Sequence, residues 1–224
     1  MAFRELVVVD DAGAEAARRI EAAITDALAG RGSAAIALSG GSAPAEMLPA
    51  LRDDLPWDAV DIVQVDERIA PDGHPDRNLG PILEHLPPSA RSRVRGMPVT
   101  ANDVDAAAAA YAAALPERFD VVHLGIGVDG HTASLVPGDA VLDVTDRDVA
   151  VTAEPYDGRR RMTLTFRALA RAGLVLWLVT GATKAVALRK LLADDERIPA
   201  SRVAAPRQVV VADPAAASSA RNGA

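Results

Sequence analysis

Short apolar runs alternate with helix-like segments along almost the whole chain, and this alternation restricts the possible folds more than any other property of the sequence. Strands are expected at 6–9, 34–38, 61–65, up to Leu124, near 149–152, and at 162–166, 174–179 and 208–211. Between them, 11–30 reads as an amphipathic helix with Ala16, Ile20, Ala23, Ile24 and Ala27 near helical spacing, closed by Gly30. Further helices are expected at 43–51, near 79–86, at 183–192, and at 104–115, where Val104, Ala108, Tyr111 and Leu115 share a face. Residues 71–77 form a loop broken by Pro and Gly. Regular alternation of this kind predicts an α/β fold with a mostly parallel sheet covered on both faces. No internal repeat or linker interrupts it, and the Ala- and Ser-rich stretch 213–224 reads as a short helix or a frayed tail.

Composition narrows the class. With 224 residues and 50% hydrophobic content the chain can bury one sizeable core, which suits one large domain spanning 1–224 better than two. A formal charge of -7 and 3% aromatic residues argue against a nucleic-acid partner, which would call for a basic stripe with stacking side chains. Cysteine is absent, so disulfides, thiolate metal sites and Cys nucleophiles are excluded. The N-terminus MAFRELVVVDDAG lacks the flanks of a signal peptide, and no run approaches the roughly 18 apolar residues of a membrane span. A soluble, cytoplasmic protein is the expectation. Of 24 basic residues only Lys184 and Lys190 are lysine, a bias attributed first to codon composition.

The chemistry-bearing stretch is VVHLGIGVDGHTASLVPG, from Val121 to Gly138. A strand ending at Leu124 runs into Gly125, Gly127 and Gly130, whose backbones can take positive φ or approach a ligand closely. Asp129 and His131 then stand at the carboxyl edge of the sheet, where ligands bind in open α/β folds. Histidine is the side chain whose ordinary pKa suits proton transfer near neutral pH, although a polar turn with His131 bonding backbone is the alternative. The literal G-x-G-x-x-G here reads as a false dinucleotide fingerprint, because it lies past mid-chain and Pro137 leaves room for only about two helical turns.

Three more constellations sit at strand ends. Ser39-Gly40-Gly41-Ser42 follows a strand and precedes a helix, so its amides and hydroxyls suit a phosphate; an ordinary βα turn is the alternative. Val65-Asp66-Glu67-Arg68 ends the third strand, with Asn78 ten residues on. Strand alternation puts Asp66 and Arg68 on one side as candidate ligand contacts and leaves Glu67 on the other as a solvated loop charge. Thr180-Gly181-Ala182-Thr183-Lys184 lacks the spacing of a nucleotide P-loop, yet Lys184 in the first turn of a helix can reach an anion above the sheet edge. Arg161, in Arg159-Arg160-Arg161, is a second candidate cation, with a solvated Arg run as the alternative. No H-E-x-x-H, G-x-S-x-G or EF-hand loop occurs, and His74, His85 and His123 lack metal-ligand spacing; His123, inside a strand, is expected to be a satisfied core or interface histidine.

LSGGSAP (38–44), VDER (65–68), LGIGVDGHTASLVPG (124–138), RMTLTF (161–166) and VTGATKA (179–185), in that order, resemble the 6-phosphogluconolactonase family. The resemblance implies a Rossmann-like three-layer sandwich shared with glucosamine-6-phosphate deaminases and ribose-5-phosphate isomerases. It also implies hydrolysis of 6-phosphogluconolactone to 6-phosphogluconate in the oxidative pentose phosphate pathway, without metal or organic cofactor; a monomer or small homo-oligomer is the expectation for assembly. By motif position Gly40, Gly41, Ser42, Arg161 and Lys184 fall on the phosphate side, with Asn78 nearby, and Asp66, Arg68, Asp129 and His131 on the reacting side. Lactone hydrolysis needs a base for water, a donor near the oxyanion and a phosphate anchor. His131 takes the first role, with Asp129 or a backbone carbonyl orienting it. Arg68 takes the second or binds sugar hydroxyls, with Asp66 holding Arg68 or a hydroxyl. Departures from the family pattern are Val136 where Phe is common, Arg77 where Ser usually precedes Asn78, and no Trp before Asp213. The alternatives are an amino-sugar-phosphate isomerase or deaminase on the same fold, disfavoured by Val136 where those enzymes carry Glu, and a non-catalytic sugar-phosphate-binding regulator.

Overall fold

A computed structural model describes residues 4–219, with the side chains of all of these but residues 42, 43 and 219. In chain order the elements are β1 (Arg4–Val8), α1 (Ala12–Arg31), β2 (Ala34–Leu38), α2 (Ser42–Met47), β3 (Val60–Gln64), β4 (Asp66–Arg68), α3 (Leu79–His85) and β5 (Val94–Arg95). They continue with α4 (Val104–Ala113), β6 (Phe119–Leu124), β7 (Val149–Val151), β8 (Arg161–Leu164), α5 (Phe166–Leu169), β9 (Ala172–Val179), α6 (Ala185–Leu192) and β10 (Gln208–Ala212). Seven strands form one sheet in the order β1-β10-β9-β6-β2-β3-β5, every pairing parallel. The three central strands β2, β6 and β9 are almost wholly buried, as the continuous apolar runs predict for a sheet covered on both faces. One face packs Ile36, Val121 and Leu176 against Ala16, Ile20 and Ile24 of α1 and Met47 of α2. The other packs Val122, Val175 and Val210 against Tyr111 of α4 and Leu188 of α6.

That second face is also covered by a separate three-stranded antiparallel sheet, ordered β4-β8-β7. The DER segment therefore does not extend the third strand of the parallel sheet, as its sequence position suggested. Val65 joins the two sheets: its N–H donates to Leu38 O at 3.0 Å in the large one, and its carbonyl accepts from Leu164 N at 2.7 Å in the small one. Met162 and Leu164 are fully buried between the layers.

One boundary expectation is corrected and one resolved. α1 runs through Gly30 and ends at Gly32, whose φ of 75° supplies the left-handed closing residue and whose N–H donates to Leu28 O. Of the two readings of 213–224, the short helix holds for its first part: a 3-10 turn over Ala216–Ser219 buries Ala216 and Ala217 fully, and 220–224 lie outside the described residues. Among the described residues no helix is long and apolar enough to cross a membrane.

Candidate active site

The chain after β2 turns towards β3, whereas after β6 it turns towards β9, so the connections diverge between the neighbouring strands β2 and β6. A crevice opens at such a switch point, outside the carboxyl ends of the strands. Here it is a cleft of about 160 Å³ whose lining includes Gly40, Gly41, Asp66, Arg68, Asn78, His131, Arg161 and Lys184. Six separate segments thus bring the expected residues to one place. Asp129 stands directly behind His131, and the Ser42 side chain lies outside the described set.

The turn after β6 is closed by Gly127 N donating to His131 O at 2.8 Å, by Gly130 N donating to Gly127 O at 3.0 Å, and by Thr132 Oγ1 donating to Gly125 O at 2.9 Å. No long helix opens there, so the dinucleotide reading falls away. A Cβ on Gly127 would stand 2.1 Å from His131 Nδ1 and 2.6 Å from Asp129 Oδ1; only glycine lets the imidazole lie against its own turn. His131 Nδ1 sits 2.6 Å from Asp129 Oδ1, which also accepts from His131 N at 3.1 Å. With Nδ1 engaged, Nε2 is the free nitrogen. Burial pushes the Asp129 carboxyl up, but the His131 N–H, the His131 ring and the Tyr156 hydroxyl outweigh it and hold the pKa below the ordinary value.

Asp66 is buried; its Oδ2 accepts from Ser134 Oγ at 2.6 Å and its Oδ1 from Asn78 Nδ2 at 3.3 Å. Burial raises its pKa against the opposing pull of Ser134, Arg161 and Arg68. Asp66 does not hold Arg68: its side-chain partners among the described residues are the Ser134 hydroxyl and the Asn78 amide, and Arg68 Nη1 donates instead to Asp76 O at 2.7 Å. Asn78 packs over Gly40, where a Cβ would meet its side chain at 2.3 Å. Arg68 and Arg161 are directly opposed across the β4–β8 ladder, and each has a buried Nε with no partner among the described residues. Arg161 is buried rather than part of a solvated run; burial first, and the charge of Arg68 second, lower its pKa.

Glu67 corrects the expectation of a solvated charge. It is fully buried and accepts from Asn78 N (2.7 Å), Arg68 N (2.8 Å), Leu79 N (2.9 Å) and Gln64 Nε2 (3.1 Å). Arg77 Nε lies 3.0 Å away as an ion pair, without the alignment of a hydrogen bond. The residue that departs from the usual Ser therefore neutralises this carboxylate. After β9, Gly181 takes φ 89° and donates its N–H to Asp213 Oδ2 at 2.9 Å, so the end of β10 fixes the loop bearing Lys184. Lys184 makes no ion pair among the described residues and faces the cleft.

His123 is buried as expected but not satisfied: neither ring nitrogen has a partner among the described residues, and burial lowers its pKa to about 4. Sequence reading missed Tyr156, Ser134, Glu67 and Asp213. For Tyr156 the usable signal was Asp157-Gly158 between two apolar runs, a hairpin dipeptide.

The profile described as Glucosamine-6-phosphate isomerases/6-phosphogluconolactonase matches residues 9–212. A 6-phosphogluconolactonase of Synechocystis sp. is 37% identical over 196 residues, covering 79% of this chain and 80% of that protein. The crystal structure of the 6-phosphogluconolactonase of Thermotoga maritima superposes with a TM-score of 0.85 at 26% identity, spanning 94% of this chain and all (100%) of that one. A monomeric glucosamine-6-phosphate deaminase, at 19% identity and a TM-score of 0.81 over 96% of this chain and 99% of its own, shares the fold. Profile, relatives and architecture agree along nearly the whole length, and the chain belongs to the glucosamine-6-phosphate isomerase/6-phosphogluconolactonase family.

Proposed function

We propose that this protein hydrolyses 6-phospho-D-glucono-1,5-lactone to 6-phosphogluconate. The observation that carries the reading is a His131–Asp129 pair facing a cleft whose other charged groups include Arg68, Arg161 and Lys184, in a chain of net charge -7. A base and an excess of cations in one cleft suit an anionic ester that must be attacked by water. His131 Nε2 takes a proton from water as its oxygen bonds to the lactone carbonyl carbon. Arg68 stabilises the oxyanion. The ring C–O bond then breaks, the imidazolium returns the proton to the departing ring oxygen, and the new carboxylic acid ionises and releases one proton to solvent. Arg161, Lys184 and the backbone amides at Gly40, Gly41 and Ser42 grip the phosphate, while Asn78 and Asp66 face the sugar hydroxyls.

The deaminase reading needs a further acid or base for ring opening and enolisation. At the position where related deaminases carry Glu, this chain buries Val136. The fold alone does not separate the two activities, and the side chain does.

The test is proton release on adding freshly generated 6-phosphogluconolactone, set against the spontaneous rate and repeated with excess chelator. The protein is expected to accelerate hydrolysis equally with and without chelator. His131→Ala is expected to stay folded and to lose roughly 10²-fold or more in kcat, the usual worth of a positioned general base. No acceleration by the wild type overturns the function; an undiminished His131→Ala variant overturns the role of His131.

A further inference from the structure

Asp129 holds His131 with one oxygen only, and Oδ2 receives a group from outside the motif: Tyr156 Oη, at 3.2 Å. The same hydroxyl lies 3.3 Å from His131 Nδ1. Its single proton goes to the carboxylate, so a lone pair faces Nδ1. All three groups are satisfied when Nδ1 carries the imidazole proton. With the proton on Nε2 instead, the Nδ1 lone pair would stand 2.6 Å from a carboxylate oxygen with nothing between. The Tyr156 ring also meets the imidazole edge to face, centroids 5.1 Å apart and planes at 65°. Hydroxyl and ring restrain the carboxylate torsion and the imidazole plane together.

Tyr156 is itself held. Asp157 (φ 50°) and Gly158 (φ 76°) make a tight hairpin turn, with Tyr156 N donating to Arg159 O at 2.9 Å. Arg159 Nε anchors the hairpin to Asp76 Oδ2 at 2.9 Å. Arg161 lies with its guanidinium 4.9 Å above the Tyr156 ring and donates Nη2–H to Tyr156 O at 3.2 Å. The arginine read above as a phosphate ligand is therefore stacked on the residue that braces the base.

We propose that Tyr156 is a positioning residue for this reaction: it keeps the His131 proton on Nδ1 and the imidazole seated on Asp129, and Arg161 keeps Tyr156 there. This rests on His131 being the base. The decisive variant is Tyr156→Phe, which keeps the ring and the Arg161 stack and removes only the hydroxyl, so the fold is retained. Two readouts are needed, kcat and KM for 6-phosphogluconolactone, and the ¹⁵N shifts of the His131 ring nitrogens with the ring neutral. In the wild type the shifts are expected to report a proton on Nδ1 and a bare Nε2; in Tyr156→Phe they are expected to move towards a mixture, with kcat down about tenfold and KM within about twofold. Unchanged shifts overturn the proposal, and so does a raised KM at unchanged kcat, which makes Tyr156 a substrate contact. The spectrum needs no substrate, so it decides the positioning role even if the wild type does not hydrolyse the lactone. Conversely, an active wild type with an indifferent Tyr156→Phe variant overturns this inference and leaves the function standing.

Discussion

Arg68 and Arg161 face each other across two antiparallel strands, an arrangement that destabilises a ladder by like-charge repulsion. Each guanidinium has already found one backbone carbonyl, Asp76 O and Tyr156 O, and each still has an unpartnered Nε. Such a pair lowers the stability of the free protein, and in the proposed complex each charge meets its own anion, the oxyanion at Arg68 and the phosphate at Arg161. Lys184 differs, being half-exposed and free of ion pairs among the described residues, so it acts as a point charge that costs little to hold. Lys184→Ala is accordingly expected to raise KM for the phosphorylated lactone and to leave turnover of unphosphorylated gluconolactone nearly unchanged. A charge-assisted contact is worth about 1.5–3 kcal/mol, roughly 10- to 150-fold in kcat/KM, and the half-exposed position favours the lower end. Steady-state kinetics on the two substrates check this; equal losses on both would place Lys184 in the chemistry or the fold instead.

At the scale of elements, the short strand β4 and the start of α3 are tied together by one buried carboxylate. Glu67 accepts from the first two amides around the α3 N-terminus, Asn78 and Leu79, and from Arg68 of its own strand, which sets both Asn78 and Arg68 at the cleft. Every contact it makes is with a donor. Glu67→Gln therefore replaces an acceptor oxygen by an NH₂ group facing donors and leaves Arg77 without its buried partner. A loss of about 2–5 kcal/mol in unfolding free energy is expected from denaturant titration, and a change below about 0.5 kcal/mol would show that the hub is dispensable. The sequence made β2, β6 and β9 and their glycine turns legible because full burial demands unbroken apolar runs and tight turns demand glycine. It left β4 hidden because DER directly follows an apolar strand and reads as the end of that strand until β8 is there to pair with it in a second sheet. Glu67 was misjudged for the same reason: a charge is read as solvated unless its four donors, three of them backbone N–H groups, are known, and backbone N–H groups carry no sequence signal.

Across the whole molecule, the parallel sheet brings the loops after β2, β6 and β9 to one end, beside β4 and β8 of the small sheet, and its interior holds an ionisable group that none of these segments uses. His123 lies in the central strand β6, fully buried, with both ring nitrogens unpartnered among the described residues. Strand alternation puts it on the Val121 face, under α1. Burial depresses its pKa from 6.5 to about 4, so the native state keeps it neutral while the unfolded chain takes up a proton at the ordinary value. The contribution to stability is fully present above about pH 6.5 and is lost as the pH falls from there towards about 4; below that both states are protonated and this group causes no further change. A shift of that size corresponds to roughly 3 kcal/mol lost across the window. Asp66, whose raised pKa works in the opposite sense, and the lowered Asp129 also make stability depend on pH, so the wild-type profile alone does not isolate the histidine. His123→Leu removes it, fills the site with an apolar side chain and leaves the cleft residues untouched. Thermal unfolding of both proteins between pH 7.5 and 4.5, which are the limits of the proposed scan, about one unit above the window and near its lower end, is expected to show the variant more stable than the wild type at acid pH, with the gap narrowing as the pH rises. Parallel pH profiles for the two proteins would mean that His123 is protonated in the native state or hydrogen-bonded there, and that the acid sensitivity of the fold arises from the carboxylates.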